Sequence, residues 1–374
     1  MKEERIFGEL FNNPNIIDEK ELVSVAETDS QFIEENDGDM VFINVLDPLF
    51  SIGGIVHPNK NNGEYYRLDA TKKEIYSSAN SSLAHCTAGA QVRFCTDADS
   101  VKIKIKLRFA LTGMNHFTNR GVYGIDAYIG TGNNRHYVGA QMQTFADSSS
   151  YNEGVLNLPK GINEVLINLP LYGGVSKLVV GFPVNSKTVK PLNRTIEKPI
   201  AFYGSSITQG GCVSRPGNMY SNILCRALDA DCMNLGFSGS AMGEQSIAEY
   251  IGSRKISAFV MDYDYNSPTA DSLMETHSAF FKTVRKAHPE IPVIMVTHPY
   301  YAAVTEGDIK RKNIIIATYE AALADGDRNV YFVDSEDFFP LEMRDLYAVD
   351  NLHPNDLGQF MMAKAIYPFL RKTL

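Results

Sequence analysis

After Pro191 the chain changes rhythm, and that change constrains its architecture more than any other feature. Residues 198–203, 230–235, 258–263, 292–297 and 330–333 are short, nearly continuous apolar runs, the pattern of strands buried on both faces. Helical stretches separate them. Leu273, His277, Phe280, Val284 and Ala287 recur at spacings of three or four, as do Phe360, Ala363, Tyr367 and Leu370, so each set makes one apolar face of a helix. Regular alternation of strand and helix predicts an α/β domain with a parallel sheet wrapped by helices. Any site belongs at the carboxyl ends of its strands.

Before that point the period is two. Residues 101–107 alternate apolar residues with lysine, and 135–145 and 176–182 read similarly, as half-buried antiparallel strands do. Between about residues 40 and 185, β-branched and aromatic runs are broken by Gly, Asn, Asp and Pro, which predicts an all-β sandwich or jelly roll. A chain of 374 residues exceeds one ordinary core. The expected division is a β-sandwich (jelly-roll) domain over residues 1–195 and an α/β domain over 196–374, joined through the polar segment 185–197.

Charge and cysteines narrow the function classes. A formal net charge of −9 argues against nucleic acid or an anionic membrane as a partner and suits a neutral or cationic ligand. The first residues are polar, and no apolar stretch reaches bilayer-spanning length, so the expectation is a soluble, cytoplasmic protein. The five cysteines, Cys86, Cys95, Cys212, Cys225 and Cys232, have neither an even count nor metal-ligand spacing. They read as free thiols, Cys212 as a bystander without an adjacent base, and no metal ligand is assigned.

Four short blocks fall at the ends of the buried runs. The first, Gly204 to Gly211, contains Ser205 and Ser206 in a small-residue turn. A serine hydroxyl there is exposed to a base that can take its proton, and turn N–H groups can bind an oxyanion. The turn lacks the lysine of a P-loop and the glycine spacing of a dinucleotide fingerprint. Next come Gly239, in a loop after the second run, and Asn266 after the third. Each suits an oxyanion donor, and each is equally an ordinary loop or turn residue. Finally, Asp350 precedes His353 by three residues, close enough for the carboxylate to orient the ring and leave Nε2 for a serine. Asp262 or Asp264 could also serve that purpose.

Together, Gly204-Ser205-Ser206, Gly239, Asn266 and Asp350 to His353 resemble the four signatures of the SGNH (GDSL-type) hydrolases over residues 198–374. The resemblance implies an α/β/α three-layer domain and a cofactor-free serine ester hydrolase. It assigns Ser206 as nucleophile, His353 as general base, Asp350 as its partner, and the Ser206 N–H, Gly239 and Asn266 as the oxyanion hole. Ser205 stands where the name motif has aspartate, and residues 264–267 depart from the usual Gly-x-Asn-Asp. An α/β-hydrolase elbow is disfavoured, since Thr208 occupies its second glycine position.

Residues 124–128, with Asp126 at the centre, resemble the Gly-x-Asp-Leu-Tyr motif of β-domains that precede such hydrolases, although Ala127 replaces its leucine. With residues 212–217, this architecture looks like bacterial carbohydrate esterases that deacetylate xylan-type oligosaccharides. The implied partner is an acetylated oligosaccharide, with homo-oligomerisation possible. Arg215 and His298 are candidate substrate contacts, and Tyr300, Tyr301 and Tyr347 candidate sugar platforms. A lipase or thioesterase on the same scaffold, or a retired sugar-binding protein, are the competing expectations.

Overall fold

The computed structural model describes residues 6–8, 17–109, 115–141, 151–301, 304–339 and 343–374. The first half carries strands β1 (Val23–Ser24), β2 (Ile33–Asn36), β3 (Met40–Asn44) and β4 (Ser51–Gly53), then helix α1 (Ser78–Leu83). Strands β5 (Gln91–Thr96) and β6 (Ser100–Leu107), helix α2 (Asn119–Tyr123) and strands β7 (Ile125–Ile129) and β8 (His136–Gln141) follow. Strands β9 (Asn152–Asn157), β10 (Asn163–Asn168), β11 (Val175–Pro183) and β12 (Lys187–Val189) complete it.

These strands form two antiparallel sheets. One runs β1-β12-β5-β10-β7-β8 with β4 on β5, the other β2-β3-β11-β6-β9. They share one core, in which Val92, Phe94 and Ile167 of the first meet Ile103, Val180 and Phe182 of the second. The rings of Phe94 and Phe182 pack edge to face at 5.4 Å, a favourable arrangement for aromatic quadrupoles. The alternating segment 101–107 is β6, as its period requires. Its Lys104 is nevertheless 9% exposed, because the ammonium lies over the Phe42 ring at 3.8 Å and pairs with Glu35 and Glu153. A cation over an aromatic face with carboxylates beside it keeps its charge satisfied away from water. Of the strand expected over 135–145, β8 occupies 136–141, Arg135 precedes it, and residues 142–145 lie outside the described residues.

The second half opens with β13 (Ile196–Gly204) and α3 (Ser206–Gln209), followed by α4 (Tyr220–Leu228), β14 (Ala230–Gly236) and α5 (Gln245–Ser253). Then come β15 (Ala258–Asp262), α6 (Ala270–Ala287), β16 (Val293–Val296), α7 (Glu306–Ala324), β17 (Val330–Val333) and α8 (Asp356–Thr373). All pairings are parallel, in the order β14-β13-β15-β16-β17. The chain reverses its winding direction beside β13, so a crevice opens at that strand's carboxyl end. The apolar stripe of α6 buries Leu273, His277, Phe280 and Val284, whereas Ala287, at its last position, is exposed. His277 is a satisfied core residue: its Nδ1 lies 2.9 Å from Thr318 Oγ1, and burial lowers its pKa to about 4.

The two halves are not independent beads. Buried residues of both antiparallel sheets and of β13, α4 and α8 belong to one continuous apolar cluster.

Candidate active site

The first strand of the parallel sheet ends in a tight corner. A Cβ at Gly204 would fall 2.0 Å from Thr208 Oγ1 and 2.2 Å from Asp262 O, and one at Gly236 would lie 2.2 Å from Gln209 N. Only glycine allows β13 and β14 to press against the short helix α3. Ser205 caps that helix, its hydroxyl accepting the Ile207 N–H at 3.1 Å. Serine and aspartate are both good N-caps, which accounts physically for serine standing in the name motif's aspartate position. Ser206 is then the first helical residue, and its N–H has no acceptor inside the helix.

Ser206 Oγ lies 2.9 Å from His353 Nε2. On the other side of the ring, Nδ1 lies 2.9 Å from Asp350 Oδ2. Asp350 Oδ1 also accepts the backbone N–H groups of Leu352 at 2.8 Å and His353 at 2.6 Å, so one carboxylate fixes both the loop and the ring. Partial burial would raise its pKa, but the hydrogen bonds from His353 and the backbone outweigh it and hold Asp350 below the usual carboxylate value. Ser206 and His353 are 7% and 8% exposed, which keeps the pair largely out of competition with water. Asp262 and Asp264 are occupied elsewhere. Asp262 accepts hydrogen bonds from Thr208 and Tyr220, and Asp264 pairs with His298.

Gln359, on α8, locks the start of that helix to α3 and α4. Its Nε2 donates to Ile207 O at 3.1 Å and its Oε1 accepts the Tyr220 N–H at 2.6 Å. Asn266 Nδ2 donates to Phe237 O at 2.9 Å, which joins the two middle blocks. Gly239 has φ +68°, and a Cβ there would meet nothing within 4 Å. Among the described residues no acceptor engages its N–H.

The two expected substrate contacts, Arg215 and His298, are each held by other protein groups. Arg215 Nη1 donates to Asp126 Oδ2 at 2.5 Å and to Tyr128 Oη at 2.6 Å, and its guanidinium lies over the Tyr137 ring at 4.2 Å. It ties the loop after α3 to the β-half. The fully buried Asp126 also accepts Gly217 N–H and Asn168 Nδ2, so the centre of the 124–128 motif is a clasp between the halves. His298 is 3% exposed, with Nδ1 2.7 Å from Asp264 and Nε2 3.3 Å from Asp308; both ring nitrogens are committed. Of the expected platforms, Tyr300 and Tyr301 are buried and Tyr347 stacks on Phe339 at 4.6 Å. Tyr265, beside Asn266, is 40% exposed.

Sequence pattern alone missed three contributors from the β-half. Fully buried Arg67 donates to Asn234 O at 3.1 Å, Gly236 O at 2.7 Å and Leu83 O at 2.8 Å, bracing the strand end that leads to Gly239. Phe117 and His116 lie 5.8 and 5.2 Å from the His353 ring. Phe117 also meets Tyr172 at 4.8 Å, so the β-half walls the His353 ring. At Cys212, just after α3, burial and Asp350 push the thiol up to about 12, which leaves little thiolate at neutral pH.

Comparison with known proteins agrees with this geometry. Residues 197–371 match the GDSL-like lipase/acylhydrolase family, and residues 40–188 match the GxDLY domain, the N-terminus of SGNH-hydrolase-type esterases. The chain is an esterase or acylhydrolase of the SGNH type, with that β-domain in front. A Bacteroides ovatus protein described as a GDSL-like lipase is similar at 25% identity and TM-score 0.78, covering 89% of this chain and 98% of its own. The salicylyl-acyltransferase SsfX3 of a tetracycline biosynthetic pathway shares the fold at 16% identity and TM-score 0.74, covering 90% and 98%. A family two carbohydrate esterase from Cellvibrio japonicus does so at 13% and 0.59, covering 89% and 98%. No protein of curated function matches the sequence. Among the described residues, no helix is long and apolar enough to cross a membrane.

Proposed function

We propose that this chain removes short acyl groups, acetyl first, from carbohydrate esters through an acyl-Ser206 intermediate. The observation that carries the reading is the unbroken relay from Ser206 Oγ through His353 to Asp350, with both hydrogen bonds at 2.9 Å. His353 Nε2 takes the hydroxyl proton as Oγ bonds to the ester carbon. The oxyanion that forms is met by the N–H groups of Ser206 and Gly239 and the Asn266 amide. As the intermediate collapses, His353 passes its proton to the departing sugar oxygen. Water then attacks the acyl-serine by the same route, giving up its proton to His353 and releasing the acid and free Ser206.

A short acyl group suits the crowding on one side, where Phe117 approaches both His353 and Gly211; a Cβ at Gly211 would fall 2.8 Å from that ring. An uncharged sugar alcohol suits the net charge of −9 and the exposed Tyr265 beside Asn266, a ring on which a sugar face can stack. The fold is shared with family two carbohydrate esterases.

Acetate release from acetylated xylo- and manno-oligosaccharides, measured beside hydrolysis of p-nitrophenyl acetate and octanoate, tests the proposal. Release from the oligosaccharides and faster cleavage of the acetate ester are expected. Octanoate cleaved far faster, with no acetate from any sugar, would point to a lipase or thioesterase instead.

A further inference from the structure

His116, Cys212 and His353 bring three metal-binding atoms to one place. A ring nitrogen of each histidine and the Cys212 Sγ all lie within 4.8 Å of one another, and among the described residues this is the one such group of three. The residues come from separate stretches: the loop before α2, the turn after α3 and the loop before α8. His116 is exposed while Cys212 and His353 are buried, so the cluster has an inner floor and an open rim. We propose that these side chains bind a thiophilic divalent cation such as Zn²⁺, and that its binding switches the esterase off.

The donor chemistry fits such an ion. Imidazole and thiolate are its preferred ligands, and three protein ligands with water in the fourth place make a stable tetrahedral site. Around Zn²⁺ the donors sit about 3.5 Å apart, so the present cluster must tighten slightly, and the exposed His116 can swing inward to do so. Cys212 occupies its place at φ +69°, a left-handed conformation that non-glycine residues keep only where surroundings enforce it. On binding, the S–H bond is exchanged for a sulfur–metal bond and the proton passes to solvent.

Inhibition follows from the position of His353. One ring nitrogen faces Ser206 and the other faces Asp350, each at 2.9 Å. Whichever nitrogen turns to the cation, the base loses either its hold on the nucleophile or its orienting carboxylate. This consequence rests on the proposed catalytic reading, whereas the binding itself rests on the cluster alone.

Two measurements on the full chain separate these claims. Titration with Co²⁺ should give a thiolate-to-cobalt charge-transfer band that disappears in Cys212→Ser and in Cys212→Gly, the latter suited to the left-handed backbone, and weakens in His116→Ala. Zn²⁺ should inhibit p-nitrophenyl acetate hydrolysis reversibly, with a chelator restoring it. Losing a group that merely orients a ligand already costs about 10–100-fold in metal affinity, so the half-inhibiting Zn²⁺ concentration should rise at least about tenfold in each variant. Basal hydrolysis should survive in the two Cys212 variants. Absence of the cobalt band overturns the site, and a band with undiminished hydrolysis at saturating metal overturns the switch. Equal inhibition of the variants and the parent overturns the ligand assignment. A clear band in a chain that cleaves no ester would count against the esterase reading and in favour of the metal site.

Discussion

Arg67 places its guanidinium 2.7 Å from the carbonyl oxygen of Gly236, so a cation from the β-half closes the end of the strand that feeds the Gly239 loop. Burial lowers its pKa to about 10, and it remains charged at neutral pH. Its partners are carbonyl oxygens, and the Phe237 ring lies 4.7 Å from the guanidinium. Arg67→Met strips the carbonyls of Asn234, Gly236 and Leu83 of a donor, at about 1–3 kcal/mol for each buried acceptor left unmet. Urea unfolding should therefore show a loss of at least about 3 kcal/mol, with hydrolysis reduced in the surviving folded fraction. A loss below about 1 kcal/mol would mean that the strand end does not depend on this contact.

The Ser205 cap makes a second prediction. Ser205→Ala removes the acceptor for the Ile207 N–H and should cost about 0.5–2 kcal/mol. Because that helix carries Ser206, kcat/KM should fall with it. Ser205→Asp restores a capping oxygen and should keep both stability and rate close to those of the parent. If the alanine and aspartate variants behaved alike, the helix cap would not be what this position supplies.

Asp262 gives the third. Burial first, and the neighbouring Asp264 second, raise its pKa from 3.8 to about 8, so it holds a proton beneath α3 at neutral pH. Between about pH 4 and 8 the folded chain binds a proton that the unfolded chain has released, so this contribution to stability is full below pH 4 and declines as pH rises through 8, by up to about 1.4 kcal/mol per unit. Asp262→Asn keeps a neutral acceptor for Thr208 and Tyr220 and cannot ionise. Relative to the parent it should therefore gain stability steadily from pH 5 to pH 8 in urea titrations; a constant difference across that range would show that Asp262 is already ionised.

The parallel sheet was legible because its strands are buried on both faces and therefore read as unbroken apolar runs. Residues 230–235 and 330–333 needed no tertiary information. The blocks at the strand ends were legible for a related reason: a strand, a small-residue turn and a helix start form one local unit, and Ser206 sits in it. The position of Asp350, three residues before His353, is likewise local. What escaped were contacts made across the seam. Arg67 looks like an ordinary surface cation until Asn234, Gly236 and Leu83 surround it. Phe117 carries no periodic signal, yet it lies against His353. Arg215 and His298 were placed near the right strand ends, but short-range pattern does not tell whether a charged group faces solvent or a buried carboxylate. Asp126 and Asp264, distant in sequence, decide that.

The most direct test of the account is to quench p-nitrophenyl acetate turnover with acid and map where the acyl group resides, for the parent chain and for Ser206→Ala. An acetylated peptide containing Ser206 is expected in the parent and none in the variant, whose kcat should fall by about 10⁴-fold or more. Ser206→Ala hydrolysing within about tenfold of the parent, a loss of only about 1.4 kcal/mol in barrier terms, or acetyl carried on Cys212, would contradict it.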